Sequence, residues 1–368
     1  MKWNLTALCF CFLTVCGMAG AIVHNPMNPV HPLVVGLEKV RSFSPENPQK
    51  GIFLTVPLSA VEGVDGQIYV VDAKTGLVHR YDSTGRYLSH FCGKGQGPGQ
   101  INFPVDFFVN SDGQVLIFDP FSMRVVIFSP KGILRKNVRL GNKFFYGGGL
   151  LQVSGGWVIS IPKHDKKGQY QRDVIVLLDK AFTEIRDICP VSRWEKVDAA
   201  PVNSDIAQTR FTAQGDRIFV AEGSRTDIRI RVLNLQGKEI FRISRDFRPV
   251  ARTADEIKHL IDIGKSRKAV YPKVTLVPPS PSRVSVADMF VDGSGRLWVK
   301  TARENRDKES KWDYSIFDKT GTLIGRLPAL KGKVTVRGNH LCQLYEDKKT
   351  DEFRVAIYKI VEKNGGGR

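Results

Sequence analysis

Residues 61–92, VEGVDGQIYVVDAKTGLVHRYDSTGRYLSHFC, and residues 108–139, FVNSDGQVLIFDPFSMRVVIFSPKGILRKNVR, are two copies of one module, offset by 47 residues. Gly66 is matched by Gly113, Asp72 by Asp119, Val78 by Val125, Tyr81 by Phe128 and Gly85 by Gly132. A module of this length cannot bury its own apolar face, so copies must pack on one another. Each copy holds two hairpins in series. Asp65-Gly66 and Asp112-Gly113 suit the positive φ of a tight turn between β-rich runs, and Gly85 and Gly132 end a second turn at its left-handed position. Two hairpins in series make a four-stranded antiparallel meander, the blade of a propeller.

Four further copies follow. GDRIFVAEG with IRVLNLQGKEIF keeps Ile218, Phe219, Leu233 and Gly237 in register, with one extra residue near Asp216. SVADMFVDGSGRLWVK with YSIFDKTGTLIGRL keeps Asp292, Gly295, Trp298, Phe317 and Gly321, with a longer hairpin loop. GGWVISIP with DVIVLLDKAFTEI is a worn copy whose turn glycine is missing, and VTVRGNHLCQLYED with EFRVAIYKIV has only three strands. The spare segment Leu37–Phe43 is the natural fourth. The expected fold is all-β, a six-bladed β-propeller of four-stranded antiparallel blades, closed by an N-terminal strand that removes the exposed sheet edges.

The string CGKGQGPGQINFPVDFFVNSDGQVLIFDPFSMRVVIFSPKG resembles an NHL repeat, with its Gly-Pro-Gly-Gln connection, Phe-Pro start, Asp-Gly turn and strand ending in aspartate. The chain as a whole resembles bacterial six-bladed propellers of that superfamily. This resemblance implies the fold, and leaves open ligand-binding or scaffold modules, an RNA-binding branch and an amidating lyase branch that relies on a histidine-bound metal. Shared fold does not supply a mechanism.

Lys2, the apolar run LTALCFCFLTV and the small residues Gly17-Met18-Ala19-Gly20-Ala21 read as a cleavable secretory signal over residues 1–21. The apolar run is too short for the roughly 20 residues a spanning helix needs. Leu13-Thr14-Val15-Cys16 has the outline of a lipobox, but valine before the cysteine fits poorly. The expected organisation is a signal at 1–21, one propeller over 22–363 with an inter-blade insertion at 245–287, and a tail at 364–368. Cys92, Cys189 and Cys342 remain after cleavage, on separate blades and in odd number, which argues against a disulfide framework.

The whole chain carries a net charge of +18, with 42% hydrophobic and 25% charged residues, the composition of a globular product. The connection Arg245–Ala287 holds nine basic residues against four acidic. Lys94, Arg139, Lys143, Lys163, Lys166, Lys167, Arg172, Lys331 and Lys333 lie on the same loop-rich side, where Lys265, Arg267 and Lys268 add to them. Such a face suits an anionic partner. An anionic glycan or an extracytoplasmic protein is expected over nucleic acid, because the product is exported, and the protein is expected to be a monomer. Phe144, Phe145 and Tyr146 beside Lys143 offer rings for stacking, or for packing between blades.

Within the connection, Thr253-Ala-Asp-Glu256 is a capping box, and Ile257, Leu260 and Ile261 make a short apolar stripe ending before Gly264. Counting seven residues back from each inner-turn glycine puts Ser59, Asp106, Gln208 and Asp288 at the channel axis. Asp106 and Asp288 belong to opposite blades, so they either hold a divalent cation between them or each cap their own blade. No cofactor is expected, and the scattered histidines show no converging metal set. No G-x-S-x-G, H-E-x-x-H or Walker sequence is present. The reading is an exported binding or scaffold module for an anionic ligand; its rival is a metal-assisted lyase or hydrolase at the axis.

Overall fold

The computed structural model describes residues 20–141, 148–192, 195–196, 209–270, 276–303 and 311–363. Six antiparallel meanders form six blades. From the innermost strand outward, blade 1 is Pro57–Glu62, Ile68–Asp72, Leu77–Tyr81 and Tyr87–Cys92, and blade 2 is Asp106–Val109, Val115–Asp119, Arg124–Phe128 and Leu134–Arg139. Blade 3 is Gly148–Val153, Gly156–His164, Tyr170–Asp179 and Glu184–Pro190, and blade 4 is Arg210–Gln214, Arg217–Ala221, Ile228–Asn234 and Glu239–Arg245. Blade 5 is Val286–Val291, Leu297–Ala302, Trp312–Phe317 and Leu323–Pro328. Blade 6 has Lys333–Arg337, His340–Asp347 and Glu352–Lys363 from the C-terminal end, and its outer strand is Val34–Phe43.

That outer strand runs antiparallel to the last one, from Val34 opposite Lys363 to Phe43 opposite Val355. Val34–Phe43 and the C-terminal strand thus close one sheet, as the spare N-terminal segment predicts. Arg41 of the closing strand reaches blade 1, where its Nη2 lies 2.9 Å from the buried Glu62 carboxylate. The same carboxylate lies 2.8 Å from Nδ1 of His340. A row of apolar side chains fills each interface between neighbouring blades: Tyr69, Val71 and Val78 meet Phe107, Ile117 and Val126 between blades 1 and 2. A ring of small cores of this kind avoids the limit on a single large one.

Local chemistry explains why the turns recur. The side chains of Asp82, Asp179, Asn234 and Asp318 each accept from the backbone N–H groups two and four residues later, the Asx geometry that starts a tight turn. The chain then needs a left-handed residue, which Gly85 and Gly132 supply at φ 94° and 82°. These two glycines serve packing as well. A Cβ on Gly85 would stand 2.5 Å from the ring of Phe43, and one on Gly132 2.5 Å from the ring of Phe91, so each turn receives an aromatic side chain from the outer strand of the preceding blade. In the worn third blade the left-handed position is held by Phe182, at φ 67°. Its ring stacks on Trp157 at 5.2 Å, and this burial offsets the backbone cost.

The aspartate that ends the second strand has a distinct task. Asp119 is fully buried and accepts from the N–H groups of Asn102 and Phe103 at 2.7 and 3.1 Å, fastening the incoming connection to the blade. Asp72 does the same for Thr55 and Val56. The glycine-rich connection is fixed from the other side: Arg124 donates to the carbonyls of Gly95, Gln96 and Gly97. Its carbonyls therefore face a cation, the arrangement of a connector and the reverse of a phosphate cradle.

Two features differ from the sequence expectation. Ala21–Asn25 forms a fifth strand on blade 4, parallel to Glu239–Arg245, and Asn25 bridges to blade 5 by donating to Gly321 O and accepting from Leu323 N. The helix of the long connection spans Ala254–Val270 and passes through Gly264, which is buried and helical, instead of ending before it. Its capping box is present: Glu256 N donates to Thr253 Oγ1 at 3.3 Å, and Thr253 N donates to Glu256 Oε2 at 2.9 Å. Ile257 and Leu260 are half-buried, whereas Ile261 is exposed. Cys92, Cys189 and Cys342 are free thiols, all pushed upward in pKa by burial. Among the described residues no helix is long and apolar enough to cross a membrane.

Candidate functional site

The inner strands begin on the face that carries the inter-blade connections, and their pairing identifies equivalent axial positions. Ser59 lies opposite Val71, Asp106 opposite Phe118 and Asp288 opposite Lys300. The hairpin of blade 4 is shorter, with Gln214 paired to Arg217, so the residue opposite Ala221 is Arg210. Counting back from Gly215 overshoots by two residues: the equivalent place is held by Arg210, and Gln208 lies outside the described residues. In blades 3 and 6 the places fall to Gly148, opposite Ser160, and Lys333, opposite Leu344. Around the ring the axial positions are Ser59, Asp106, Gly148, Arg210, Asp288 and Lys333. Counting from glycines missed both cations, because hairpin length and not the glycine sets the register.

The two aspartates sit in different surroundings. Asp106 is half-buried and accepts from the N–H groups of Phe107 and of Leu150 in the neighbouring blade; burial outweighs these bonds and pushes its carboxyl up to about 7. Asp288 is exposed and accepts from the N–H of Met289 at 2.9 Å. Beside it, burial lowers the ammonium pKa of Lys300, with Asp288 opposing the shift and Lys333 adding to it. Burial, with the Asp288 charge second, raises the phenol of Tyr314. Asp288 thus belongs to a cluster with Lys300, Lys333 and Tyr314 between blades 5 and 6. Among the described residues no hydrogen bond joins it to Asp106. Among the described residues no group of three or more His, Cys, Asp or Glu side chains is placed to hold a metal ion. At the opposite end of the channel, Arg337 of blade 6 donates to Val109 O of blade 2 at 3.2 Å.

A pH prediction follows for Asp106. Its folded-state pKa lies above the roughly 3.9 of a free aspartate, so the folded protein holds the proton more tightly and loses stability as pH rises from about 4 to about 7. Asp106→Asn is expected to remove that slope, so that relative to wild type it gains about 2–3 kcal/mol between pH 5 and pH 8 in urea unfolding. An equal pH dependence in both proteins would refute the assignment.

The remaining cations divide into engaged and exposed. Lys163 is held by Glu184 at 2.7 Å and by Asp187. Arg172, opposite Lys163, is half-buried, while Lys166 and Lys167 are exposed in the turn of the long blade 3 hairpin. Lys94, Arg139, Lys331 and Lys333 are exposed, as are Lys258, Lys265 and Lys268 on the helix. The Arg267 side chain, and Lys143 with its aromatic neighbours, lie outside the described residues, as do residues 1–19 and 364–368. The helix is fixed at its start. Glu256 sits 3.0 Å from Arg283 and 2.9 Å from Lys311; although burial raises its pKa, bonds from Lys311, Thr253 and Arg283 outweigh this and hold it down to about 2.

Comparison with known proteins agrees with this geometry. The family model DUF5128, described as a 6-bladed beta-propeller, matches residues 50–189. No curated protein sequence matches the chain. Among solved structures, a candidate exported protein from Bacteroides fragilis aligns at TM-score 0.55 and 12% identity, over 93% of this chain and 100% of its own. A member of the DUF4221 family from Bacteroides vulgatus aligns at TM-score 0.52 and 11% identity, over 92% of this chain and 100% of its own. At these identities the likeness is one of fold. Blade count, strand pairing and matched relatives agree: this chain is a six-bladed β-propeller.

Proposed function

We propose that the protein is an exported propeller of the NHL-like kind, acting as a binding or interaction scaffold whose loop-rich face takes an anionic ligand, with an acidic glycan the favoured class. One observation carries this reading. The exposed cations Lys94, Arg139, Lys166, Lys167, Lys258, Lys265, Lys268, Lys331 and Lys333 come from five different connections and hairpins that open on that face. Glu256, an acid of the long connection, is consumed in pinning the helix. A field of one sign on one face draws in polyanions and falls off with salt. The leader at 1–21 supports export.

The test is a comparison of faces. K258E/K265E/K268E reverses the helix, and K131E/K180E/K238E reverses three exposed turns on the opposite face. Binding to heparin and to polygalacturonate at low salt is expected to weaken about tenfold or more in the first variant and about twofold or less in the second. Equal losses would leave only diffuse charge.

The second reading, catalysis at the axis, is favoured by the carboxyl of Asp106, whose pKa near neutrality suits proton transfer. A divalent cation there would be held by Asp106 and Asp288. Stoichiometric metal in the purified protein, lost in Asp106→Asn and Asp288→Asn, is the outcome that would promote it.

A further inference from the structure

A cavity of about 580 Å³ lies at the rim of the loop-rich face, away from the axis, between the ends of blades 4 and 5. Its outer wall is the strap that leads from the fifth strand of blade 4 to the closing strand of blade 6, including Met27, Pro29 and Leu33. Its lining carries four guanidinium groups, Arg245, Arg248, Arg303 and Arg326, against one carboxylate, Asp313.

These arginines have separate roles. Arg245, itself 4% exposed, donates through Nε and Nη2 to Met27 O and through Nη1 to Ser315 Oγ at 2.9 Å, so it secures the strap. Arg326 donates to Asn28 Oδ1 at 2.8 Å and to Asp313 Oδ2 at 2.9 Å. Its Nε is buried with no hydrogen-bond partner among the described residues. Arg303 Nε lies 3.7 Å from the other oxygen of Asp313. Arg248 is exposed at the start of the connection that leaves blade 4. Asp313 is shared between Arg303 and Arg326, so among the described residues the lining holds four guanidinium groups around a single carboxylate. The same walls present apolar surface from Pro29, Leu33, Phe247 and Leu327. Guanidinium forks match planar carboxylates, and a pocket of this size with apolar walls and a few fixed polar groups suits a small molecule better than a polymer.

We propose that this cavity is a binding site for a small organic carboxylate carrying one or two rings. The carboxylate sits against Arg248 and Arg303, and the ring body packs on the strap and Phe247. This site shares its preference for anions with the face described above, but it is a separate site built by different residues.

The test uses the purified protein with benzoate and glucuronate as probes, and glucose as the uncharged counterpart, in titration calorimetry. At least one carboxylate is expected to bind one to one with millimolar or tighter affinity, and glucose not at all. Arg248→Ala should weaken that binding fivefold or more with an unchanged melting temperature, and Arg303→Gln should weaken it by a similar factor. K258E/K265E/K268E should leave it unchanged, which separates this site from polyanion binding. If neither carboxylate binds wild type, or if both arginine variants bind like wild type, the proposal is overturned. Loss of small-carboxylate binding in the helix variant would overturn it equally.

Discussion

A chain lacking residues 20–43 is expected to lose cooperative unfolding altogether, and to expose apolar surface to a dye such as ANS. The deletion removes the ten-residue strand that covers Glu352–Lys363. It also removes the Arg41–Glu62 ion pair and the contact of Phe43 with Tyr81, whose ring centroids are 5.3 Å apart. Each buried side chain of this size contributes about 1.5–3 kcal/mol. Several lost at once approach the roughly 5–15 kcal/mol that stabilises a whole domain, and the bare edge of the last strand becomes a template for aggregation. Val34 pairs with Lys363, so a permuted chain that begins at Ser44 and carries residues 34–43 after Lys363 on a short linker needs only a hairpin turn. It is expected to recover a cooperative transition. A deletion that unfolds as sharply as wild type would contradict closure by this strand.

Asp119→Ala is expected to cost about 3–5 kcal/mol, more than any surface charge removal in the molecule. The carboxylate is fully buried, holds the N–H groups of Asn102 and Phe103, and stands 3.6 Å from Arg124. Its loss leaves two backbone donors and one buried guanidinium without their anion. In a chain of this length that should lower the melting temperature by about 4–7 °C. Asp119→Asn keeps one acceptor and should fall between. A change of less than about 1 kcal/mol in urea unfolding would show that the connection is held by other means.

What could be read from the sequence was what is local. The 47-residue period, the Asx turns and the left-handed glycines each depend on neighbours within a few positions, so blades 1, 2 and 5 were legible strand by strand. Phe182 shows where such reading stops: it takes a glycine's backbone conformation because Trp157 lies under its ring, and that contact is invisible without the packed blade. The axial set failed in blade 4 for a related reason. A tighter hairpin moved the register, so Arg210 holds the place that counting assigned to Gln208. Ala21–Asn25 carried no local strand signal beside prolines 26, 29 and 32, because its partner lies some 220 residues away. The same distance hid the arginine-lined cavity, whose walls come from the N-terminal strap and two blades. Lys163 reads as a surface cation in sequence, but Glu184 and Asp187 of the outer strand neutralise it.

Whether the loop-rich face of the closed ring holds an anionic ligand by charge can be read from the salt dependence of heparin binding in the presence of EDTA. Logarithmic affinity is expected to fall linearly with the logarithm of salt concentration, with a slope of about −2 or steeper, unchanged by the chelator. Binding that is indifferent to salt, or that disappears with EDTA, would contradict binding by charge.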